Sequence, residues 1–484
     1  MSALSASLVA DVTDVPIAPR RPMGMSILIG QASCAAAAAI VLSLCAPLQS
    51  RAERNALGTW LPVVSWPGKQ LEPHRAPAWL LVLSVGLLVL AWVAVALGLY
   101  RRHVPHRLFA LGCVSWCTPF IASVPVFSRD AYAYVAQGTL LQRGLDPYSD
   151  PVASLGPTTV LRTVDPVWRH TVTPYGPAGL RIEQFAVWVG GGEVGALLAL
   201  RLVCVVCVAI AGAGVWTTSP LERRQLTLWL LLSPVLLVHL VSGIHLDAVV
   251  LAVLALSGAA AVRGHWAVAI GLAVAAGEVK ATAFAILPVL FIGAWRSQGR
   301  RHFPVHVATA LAVGALGGLA YWRDPLGWIA ALRTPGSSWD PFTPASTVAL
   351  VISEVMHHLG LSSPWSVLTV TRVLATVIGG AALMMLLVTA RRRSTVETCA
   401  WVMLVVLIAS PAMWAWYFTA AVPFLLMADR GRMRLAALLL GSAGLLVGLP
   451  LKVVPAQRVA VVAEFAAVVV VLAVGHQVRQ GRQA

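Results

Sequence analysis

The chain has 484 residues, of which 58% are hydrophobic and only 11% are charged; soluble domains carry roughly 25% charged residues. Apolar runs long enough to cross a bilayer recur from end to end, which excludes a soluble body with one anchor. The net charge of +16 would suggest nucleic acid in a soluble protein. Here the basic residues fall in short breaks between apolar runs. We therefore expect an all-α, polytopic membrane helix bundle surrounded by membrane lipid, without a nucleic-acid partner.

The apolar runs predict about fourteen transmembrane helices, with both termini in the cytoplasm. The predicted spans cover approximately residues 25–48, 77–99, 106–127, 190–217, 225–243, 246–262, 266–278, 281–295, 303–322, 366–390, 396–411, 415–428, 435–450 and 459–475. The basic breaks between them can all lie on one face, and the positive-inside rule makes that face cytoplasmic.

This topology divides the chain into four parts. They are a mobile cytoplasmic tail (1–24), an N-terminal transmembrane hairpin (25–105), a transmembrane core (106–430), and a C-terminal hairpin with a basic tail (431–484). Two long loops of the core, 128–189 and 323–365, then lie outside the cytoplasm. Within them, 177–189 and 344–360 have the pattern of helices that lie flat at the membrane surface.

All seven cysteines lie inside predicted spans. Cys204 and Cys207 have C-x-x-C spacing, but the surrounding segment, LVCVVCVAI, is entirely apolar. That setting favours small lipid-embedded residues over redox or metal chemistry. We expect no disulfide framework.

The first long loop opens with SRDAYAYVAQG, and its carboxylate, Asp130, comes just as the chain leaves the third predicted span. If the segment is helical, Tyr134 lies one turn beyond Asp130 on the same side. A carboxylate at the outer membrane surface, backed by Tyr132 and Tyr134, suits a general base that acts on a sugar hydroxyl. The alternative is that S-R-D is a helix start and Asp130 an N-cap.

The remainder of this loop is rich in aromatic residues, proline and aspartate, in the segments LDPY (145–148) and DPVWRHTVTPYGP (165–177). Aromatic faces stack on sugar C–H surfaces, and carboxylates accept hydrogen bonds from sugar hydroxyls. A carbohydrate-binding loop and an ordered lid rich in turns both explain this composition, because each Asp-Pro step favours an extended conformation.

Two predicted hairpin tips carry ionisable residues at the same face as this loop. His245 and Asp247 follow a long apolar run, and Glu278 and Lys280 follow the next pair of spans. Ionisable groups at membrane depth usually face a cavity. The His-x-Asp spacing is a weak metal signal. Lys280, the only lysine of the core, is either a phosphate-binding point charge or a snorkelling residue paired with Glu278.

A last aromatic segment, SPAMWAWYFTAAVPF (410–424), places Trp416 and Tyr417 at the external end of a predicted span. An aromatic belt at the membrane interface explains this position. A wall of a sugar site explains it as well.

Together these segments resemble the actinobacterial polyprenol-phosphate-mannose-dependent α-(1→6)-mannosyltransferases, multi-span enzymes of the GT-C class. The resemblance covers roughly residues 110–430. It rests on SRDAYAYVAQG with GLDPY, VDPVWRHTVTPYGP, SPVLLVHLVSGIHLDAV, EVKATAFAILP, TPGSSWDPFTPAST and SPAMWAWYFTAAVPF, which occur in the family's order. One departure is Leu246, which stands where the family pattern has Asn.

The resemblance implies a GT-C fold and transfer of mannose from polyprenyl-phosphate-mannose to an extracytoplasmic mannan or lipoglycan, with inversion. Asp130 is then the expected catalytic base. Lys280, Arg129 and His245 are candidates for stabilising the leaving phosphate. A metal is compatible with this chemistry but not required, and no other cofactor is expected. The full set of expected substrate-binding residues is Arg129, Tyr132, Tyr134, Tyr148, Asp165, Arg169, Tyr175, His245, Asp247, Lys280, Trp416 and Tyr417.

Two other functions fit the sequence. One is a GT-C transferase for another polyprenyl-phosphate sugar, such as arabinose or glucose. The other is a transporter or lipid flippase, whose buried charges would line a path across the bilayer. Here the charges gather at one face beside two long aromatic loops, which favours an enzyme.

Overall fold

The structure is a computed structural model that describes residues 78–101, 104–123, 125, 128–321, 324–334, 343–361, 364–428 and 430–447. Every regular element in these ranges is helical, as the composition predicts. The predicted tail (1–24), the first span (25–48) and the last span (459–475) lie outside the described residues.

The first half of the chain builds the elements that carry the candidate site. Its helices are α1 (Ala78–Arg101), α2 (His106–Ala122), α3 (Asp130–Gln142), α4 (Thr159–Thr163), α5 (Pro166–Arg169), α6 (Pro177–Gly190), α7 (Glu193–Thr218), α8 (Arg224–Leu231), a π-helix (Leu236–Ser242), α9 (Asp247–Val262) and α10 (Trp266–Gly277). Short 3₁₀ turns, Val152–Leu155 and Leu221–Arg223, lie between them.

The second half continues with a 3₁₀-helix at Ala281–Ile286 and the helices α11 (Leu287–Gln298), α12 (Phe303–Ala320), α13 (Gly327–Ala331), α14 (Pro344–His358), α15 (Pro364–Thr389) and α16 (Thr395–Ala409). A further 3₁₀-helix, Ala415–Ala421, leads into α17 (Val422–Met427), and α18 (Gly431–Val447) follows. Single 3₁₀ turns lie at Arg300–His302 and Ala390–Arg392.

The chain is a membrane protein, but the described helices do not reproduce fourteen full spans. Three are long and apolar enough to cross a bilayer, at Glu193–Thr218, Arg300–Ala320 and Ser366–Arg392, and a bent pair makes a fourth if it is counted as one span. Several predicted spans correspond to apolar helices of 10–17 residues. The number of crossings therefore stays a prediction.

The bent pair shows why a predicted span can be broken. The run 225–243 was expected to be one helix, but α8 ends at Leu231 and the chain turns by 62° before the π-helix. Pro234 stands at this break; proline lacks an amide donor and its ring disfavours a helical residue before it.

A buried arginine on α7 fastens the elements that lead into the site. Arg201 of α7 donates hydrogen bonds to the carbonyl oxygens of Ile121 (3.0 Å), Ser242 (2.9 Å) and Ser123. These carbonyls belong to the end of α2 and to the end of the π-helix, whose backbone acceptors would otherwise lack partners. The arginine thus fixes the segments that precede Asp130 and His245.

The first long loop is ordered and largely helical, and α6 and α14 confirm the helices predicted at 177–189 and 344–360. On α6, Phe185, Trp188 and Val189 are exposed at helical spacing. On α14, Val348, Val351, Ile352 and Val355 are exposed in the same way. Contact of these faces with the membrane surface remains a prediction.

At the end of the bundle opposite the site, α16 is fastened to the segment before α18. Glu397 has a fully buried side chain, forms an ion pair with Arg430 (2.8 Å) and also pairs with Arg432. The five cysteines within the described ranges, Cys113, Cys117, Cys204, Cys207 and Cys399, are free thiols.

Candidate active site

Asp130 is the first residue of α3, and its side chain is not the cap of that helix. The Asp130 amide donates to the Ser128 hydroxyl oxygen at 3.1 Å, and Arg129 occupies the N-cap position without a side-chain hydrogen bond to the helix. The Asp130 carboxylate instead turns toward two other segments. Its Oδ1 accepts a hydrogen bond from Trp168 Nε1 at 2.9 Å, and its Oδ2 lies 3.6 Å from His245 Nε2.

The surroundings keep this carboxylate in its ionised form. Burial raises the pKa of Asp130, but the interaction with His245 and the hydrogen bond from Trp168 outweigh it, so that the pKa lies below its ordinary value. The side chain retains 18% exposure. Asp130 is therefore an ionised base that a substrate hydroxyl can reach.

His245 is held in one orientation by its neighbours. Its Nδ1 lies 2.7 Å from the carbonyl oxygen of His239, and the Trp416 ring stacks on it with centroids 4.0 Å apart. The preceding residue, Ile244, has a left-handed backbone with φ of 55°. A β-branched residue adopts this conformation only where the fold enforces it. This strain presents the imidazole to Asp130.

The two predicted hairpin tips meet in the structure. Lys280 Nζ forms a 2.7 Å ion pair with Asp247 Oδ1 and lies 3.6 Å from the centroid of the Tyr417 ring. The alternative pairing of Lys280 with Glu278 is therefore wrong. Burial lowers the pKa of Lys280, and the attraction of Asp247 opposes that shift.

Three tyrosines connect the first loop to these tips. Tyr134 and Tyr175 hydroxyls lie 2.8 Å apart, and the Tyr148 hydroxyl donates to the Tyr175 carbonyl at 2.9 Å. Burial raises the pKa of both Tyr134 and Tyr175 well above the ordinary value, so both stay protonated. Tyr175 also approaches the second hairpin tip, because Lys280 Nζ lies 5.9 Å from the centroid of its ring.

Gly176 lets the loop approach the second tip closely. Its amide donates to the Val279 carbonyl at 3.1 Å, and the Ala178 amide donates to the Glu278 carbonyl at 3.0 Å. A Cβ on Gly176 would lie only 2.6 Å from the Glu278 carbonyl carbon. Only glycine fits at this junction.

The structure uses other expected binding residues to build the loop. Arg129 donates to the carbonyls of residues 162, 163 and 164, and Arg169 donates to those of 162 and 164. The Asp165 carboxylate accepts from the Val167 amide as the N-cap of α5. Tyr132 is buried in the core. Their predicted contacts with substrate remain predictions.

Trp168 is a site residue that motif reasoning did not single out, although it lies within the quoted segment VDPVWRHTVTPYGP. The Asp-Pro pair that starts α5 was a usable signal, because an Asp cap followed by proline at the first position starts a helix. Its 38-residue separation from Asp130 hid the contact between them.

A second group that the motifs missed lies behind the tyrosines. The Gln137 side-chain amide, turned so that its nitrogen donates, reaches Thr173 and both oxygens of Glu183 at 3.1–3.3 Å. Burial raises the pKa of Glu183 well above the ordinary value, which makes it a neutral acid. This group packs α3 against α6 and holds the segment that carries Tyr175.

Three buried polar atoms at the site have no protein hydrogen-bond partner among the described residues: His245 Nε2, Asp247 Oδ2 and Trp416 Nε1. Buried polar groups in folded proteins are nearly always bonded, so these three atoms are free to bond a ligand at the site. Within the described ranges, no three His, Cys, Asp or Glu side chains are grouped as metal ligands. The arrangement combines a partly exposed base, a partly exposed cation and aromatic faces, which suits transfer of a polar group away from an anionic leaving group.

Comparison with known proteins identifies the family. Residues 30–296 match the model of the alpha-(1->6)-mannopyranosyltransferase family, N-terminal domain. The chain is 31% identical over 361 residues to alpha-(1->6)-mannopyranosyltransferase A of Mycobacterium tuberculosis, covering 70% of this chain and 69% of that protein. The chain belongs to this family. The family resemblance expected from the motifs is thereby confirmed, and so is the expectation of an enzyme, a glycosyltransferase.

Other members of the alpha-(1->6)-mannopyranosyltransferase family match over shorter stretches. Alpha-(1->6)-mannopyranosyltransferase B of Corynebacterium glutamicum is 30% identical over 231 residues, covering 44% of this chain and 38% of that protein. Alpha-(1->6)-mannopyranosyltransferase A of the same organism is 30% identical over 230 residues, or 44% and 46%. No solved structure matches the chain.

Proposed function

We propose that this chain transfers mannose from polyprenyl-phosphate-mannose to an extracytoplasmic mannan or lipoglycan, forming α-1,6 linkages with inversion. One observation carries the proposal: the partly exposed Asp130 carboxylate lies between Trp168 and His245 in the electrostatic field of the half-buried Lys280. The names of the relatives support mannose as the sugar. The lipid-phosphate donor accords with a site at one end of a membrane helix bundle.

The reaction proceeds by a single displacement. The acceptor hydroxyl oxygen attacks C1 of the mannose, its proton passes to Asp130, and the bond from C1 to the phosphate oxygen breaks. Polyprenyl phosphate leaves with the bonding electrons. One displacement at a β-linked donor inverts C1 and gives an α-linked product.

Lys280 is the proposed partner of the leaving phosphate. Lys280 is paired with Asp247, so the two side chains together carry no net charge when no phosphate is bound. An anion near the ammonium draws Lys280 partly away from Asp247 as charge builds on the phosphate oxygen. A negative charge that meets a cation partly shielded from water is stabilised more than it would be in water.

The aromatic rings around Lys280 serve the sugar in this proposal. Tyr175 and Tyr417 flank the ammonium, and Trp416 stacks on His245. Flat apolar faces of this kind pack against the C–H surface of a pyranose. The buried polar atoms of Asp247 and Trp416 that lack protein partners offer hydrogen bonds to its hydroxyls.

The primary test is Asp130→Asn, assayed in membranes that contain the chain, supplied with radiolabelled polyprenyl-phosphate-mannose and an oligomannoside. The amide keeps the shape and still accepts the indole hydrogen bond, but it cannot take the proton. We expect normal expression and donor binding with a rate lower by about 10²- to 10⁴-fold.

The matched control for this test is Asp150→Asn in the same loop. Asp150 accepts a hydrogen bond from the Asp146 amide at 2.9 Å, and an asparagine oxygen accepts it equally well. The control should turn over as the unmodified chain does. Near-normal transfer by Asp130→Asn would refute the assignment of the base and make Asp247 the next residue to test.

The phosphate role is tested by Lys280→Ala, which should weaken use of the lipid donor far more than use of the acceptor. This substitution also leaves Asp247 buried without its partner, which by itself destabilises a protein. The double variant Lys280→Ala/Asp247→Asn separates the two effects. If donor use recovers in the double variant, the lysine serves the fold and not the phosphate.

The identity of the donor and the need for a metal are tested in the same membranes. Polyprenyl-phosphate-arabinose and polyprenyl-phosphate-glucose are offered beside the mannosyl donor, and linkage analysis identifies the bond formed. A chelator is added in a parallel reaction, in which we expect unchanged transfer. Movement of labelled lipid across the bilayer without any glycosidic product would instead support a flippase.

A further inference from the structure

Trp168 lies on the one-turn helix α5 and donates its indole hydrogen bond to Asp130. Asp165 caps α5, Pro166 occupies its first turn, and the half-buried Trp168 then lies over the start of α3. An indole N–H donates and never accepts. Asp130 Oδ1, at 2.9 Å from it, is therefore committed as an acceptor on that side.

The segment that carries Trp168 is fastened to the residue beside Asp130. Arg129 donates through Nε to the Thr163 carbonyl (2.7 Å) and through a terminal nitrogen to the Val164 carbonyl (3.0 Å). Arg169 donates to the same Val164 carbonyl at 3.1 Å. Arg129 thus fastens the segment before α5 to the N-terminus of α3, and Arg169 fastens α5 to that segment, so the backbone that carries the indole cannot move away from the carboxylate without breaking these bonds.

The other carboxylate oxygen has a different neighbour. Asp130 Oδ2 faces His245 Nε2 at 3.6 Å. Because a carbonyl only accepts, His245 Nδ1, at 2.7 Å from the His239 carbonyl, carries a hydrogen. Nε2 is thus the ring nitrogen that faces Oδ2.

We propose that Trp168 is a positioning residue that holds Oδ1 of Asp130, so that Oδ2 beside His245 is the oxygen that receives the acceptor's proton. The inference rests on the proposed function, because it concerns the same base. Beyond that function, it assigns the carboxylate oxygen that reacts and gives Trp168 a role. A base held on one oxygen presents the other in a single direction, which lowers the cost of reaching the reactive geometry.

The pH dependence of transfer reports on this arrangement. The titratable groups whose charges act on or respond to Asp130 are His245 on the segment before α9, Lys280 at the second tip, and the tyrosines Tyr134 and Tyr175. Of the interactions with Asp130, only the indole bond is removed when Trp168 is changed to another aromatic residue. Its loss favours the protonated carboxyl, and the acidic limb of the rate profile then moves to higher pH.

The experiment compares Trp168→Phe with Trp188→Phe and the unmodified chain. Phenylalanine keeps an aromatic ring but lacks the N–H. Trp188 lies on α6, is 71% exposed and contacts Phe185, so its replacement controls for the loss of an indole from this region. Expression and thermal unfolding of the solubilised proteins are recorded first, and kcat and KM for polyprenyl-phosphate-mannose are then measured from pH 5 to pH 9.

For Trp168→Phe we expect kcat to fall about tenfold or more, KM for the donor to stay within about twofold, and the acidic limb to move up by about one pH unit. Trp188→Phe should match the unmodified chain. An unchanged profile, or a raised KM at constant kcat, overturns the inference. Absence of transfer by the unmodified chain refutes the proposed function itself, and the two failures are thus distinct.

Discussion

Substitution of Gly176 tests how tightly the first loop must rest on the second hairpin tip. Its backbone, with φ of −73° and ψ of 172°, is open to any residue, so Gly176→Ala introduces no dihedral strain. The obstacle is space. The new methyl carbon would lie 2.6 Å from the Glu278 carbonyl carbon and 3.2 Å from its Cα, with the carbonyl oxygen closer still. All three are backbone atoms, and no side chain can rotate to make room.

The cost of Gly176→Ala follows from these contacts. Overpacking in a closed site costs about 1–3 kcal/mol. Displacement also weakens the hydrogen bonds to Val279 and Glu278 (3.1 and 3.0 Å), each of which contributes about 1 kcal/mol. We expect a loss of about 2–4 kcal/mol in unfolding free energy. Because Tyr175 and Lys280 lie on the two sides of this junction, transfer should fall as well.

The assay is thermal unfolding of the solubilised protein together with the rate of mannosyl transfer. Gly192→Ala is the matched control, because a Cβ there meets nothing within 4 Å and the residue lies in the turn before α7. Its φ of 179° is ordinary extended backbone. If Gly176→Ala unfolds at the same temperature as this control and keeps its rate, the loop does not depend on the close contact and the reasoning is wrong.

Three further predictions concern stability and topology. Burial raises the pKa of Glu183, so the native protein loses stability as the pH rises above about 4.3, the pKa of a glutamate in the unfolded chain. Glu183→Gln should flatten this pH dependence and unfold at a higher temperature than the unmodified chain at pH 8. An identical pH dependence of the two proteins would contradict the assignment of Glu183 as a neutral acid. Glu397→Gln removes the charge that pairs with the half-exposed Arg430 and Arg432. We expect a loss of about 1 kcal/mol in the free energy of unfolding with unchanged kcat. A lowered kcat would instead connect this end of the bundle to the site. A cysteine at the exposed Ser149, in a chain stripped of native cysteines, should react with an impermeant thiol reagent on intact cells, and protection until lysis would invert the predicted topology.

Local patterns predicted part of the site correctly. The start of a helix after SRD, the Tyr134 position one turn beyond Asp130, and the helices at 177–190 and 344–358 all follow from periodicity and from proline and glycine signals in neighbouring residues. The isolated Lys280 was found because a lone cation in an apolar chain needs a reason. Local spacing also left Asp130 with two possible roles, which only the contacts of its carboxylate with Trp168 and His245 separated.

Partners distant in sequence could not be predicted in this way. The sequence left Lys280 as either a phosphate-binding charge or a snorkelling partner of its neighbour Glu278, but the packing of α9 against α10 brings Asp247, 33 residues away, within 2.7 Å of it. Arg129 seemed free to bind phosphate, yet the fold surrounds its guanidinium with the carbonyls of 162–164. A half-buried arginine meets whichever acceptors the tertiary structure brings to it, and no local pattern encodes these.

The sequence by itself determined the membrane environment, the helical class and the residue types available for chemistry, because hydrophobicity and periodicity act over a few residues at a time. It also carried enough of the family's motifs, in order, to indicate a glycosyltransferase. Only the tertiary structure decided that Trp168 and His245 approach the two oxygens of one carboxylate, 2.9 and 3.6 Å away. That geometry depends on how α3, α5 and the turn before α9 pack together, and packing is a property of the whole chain.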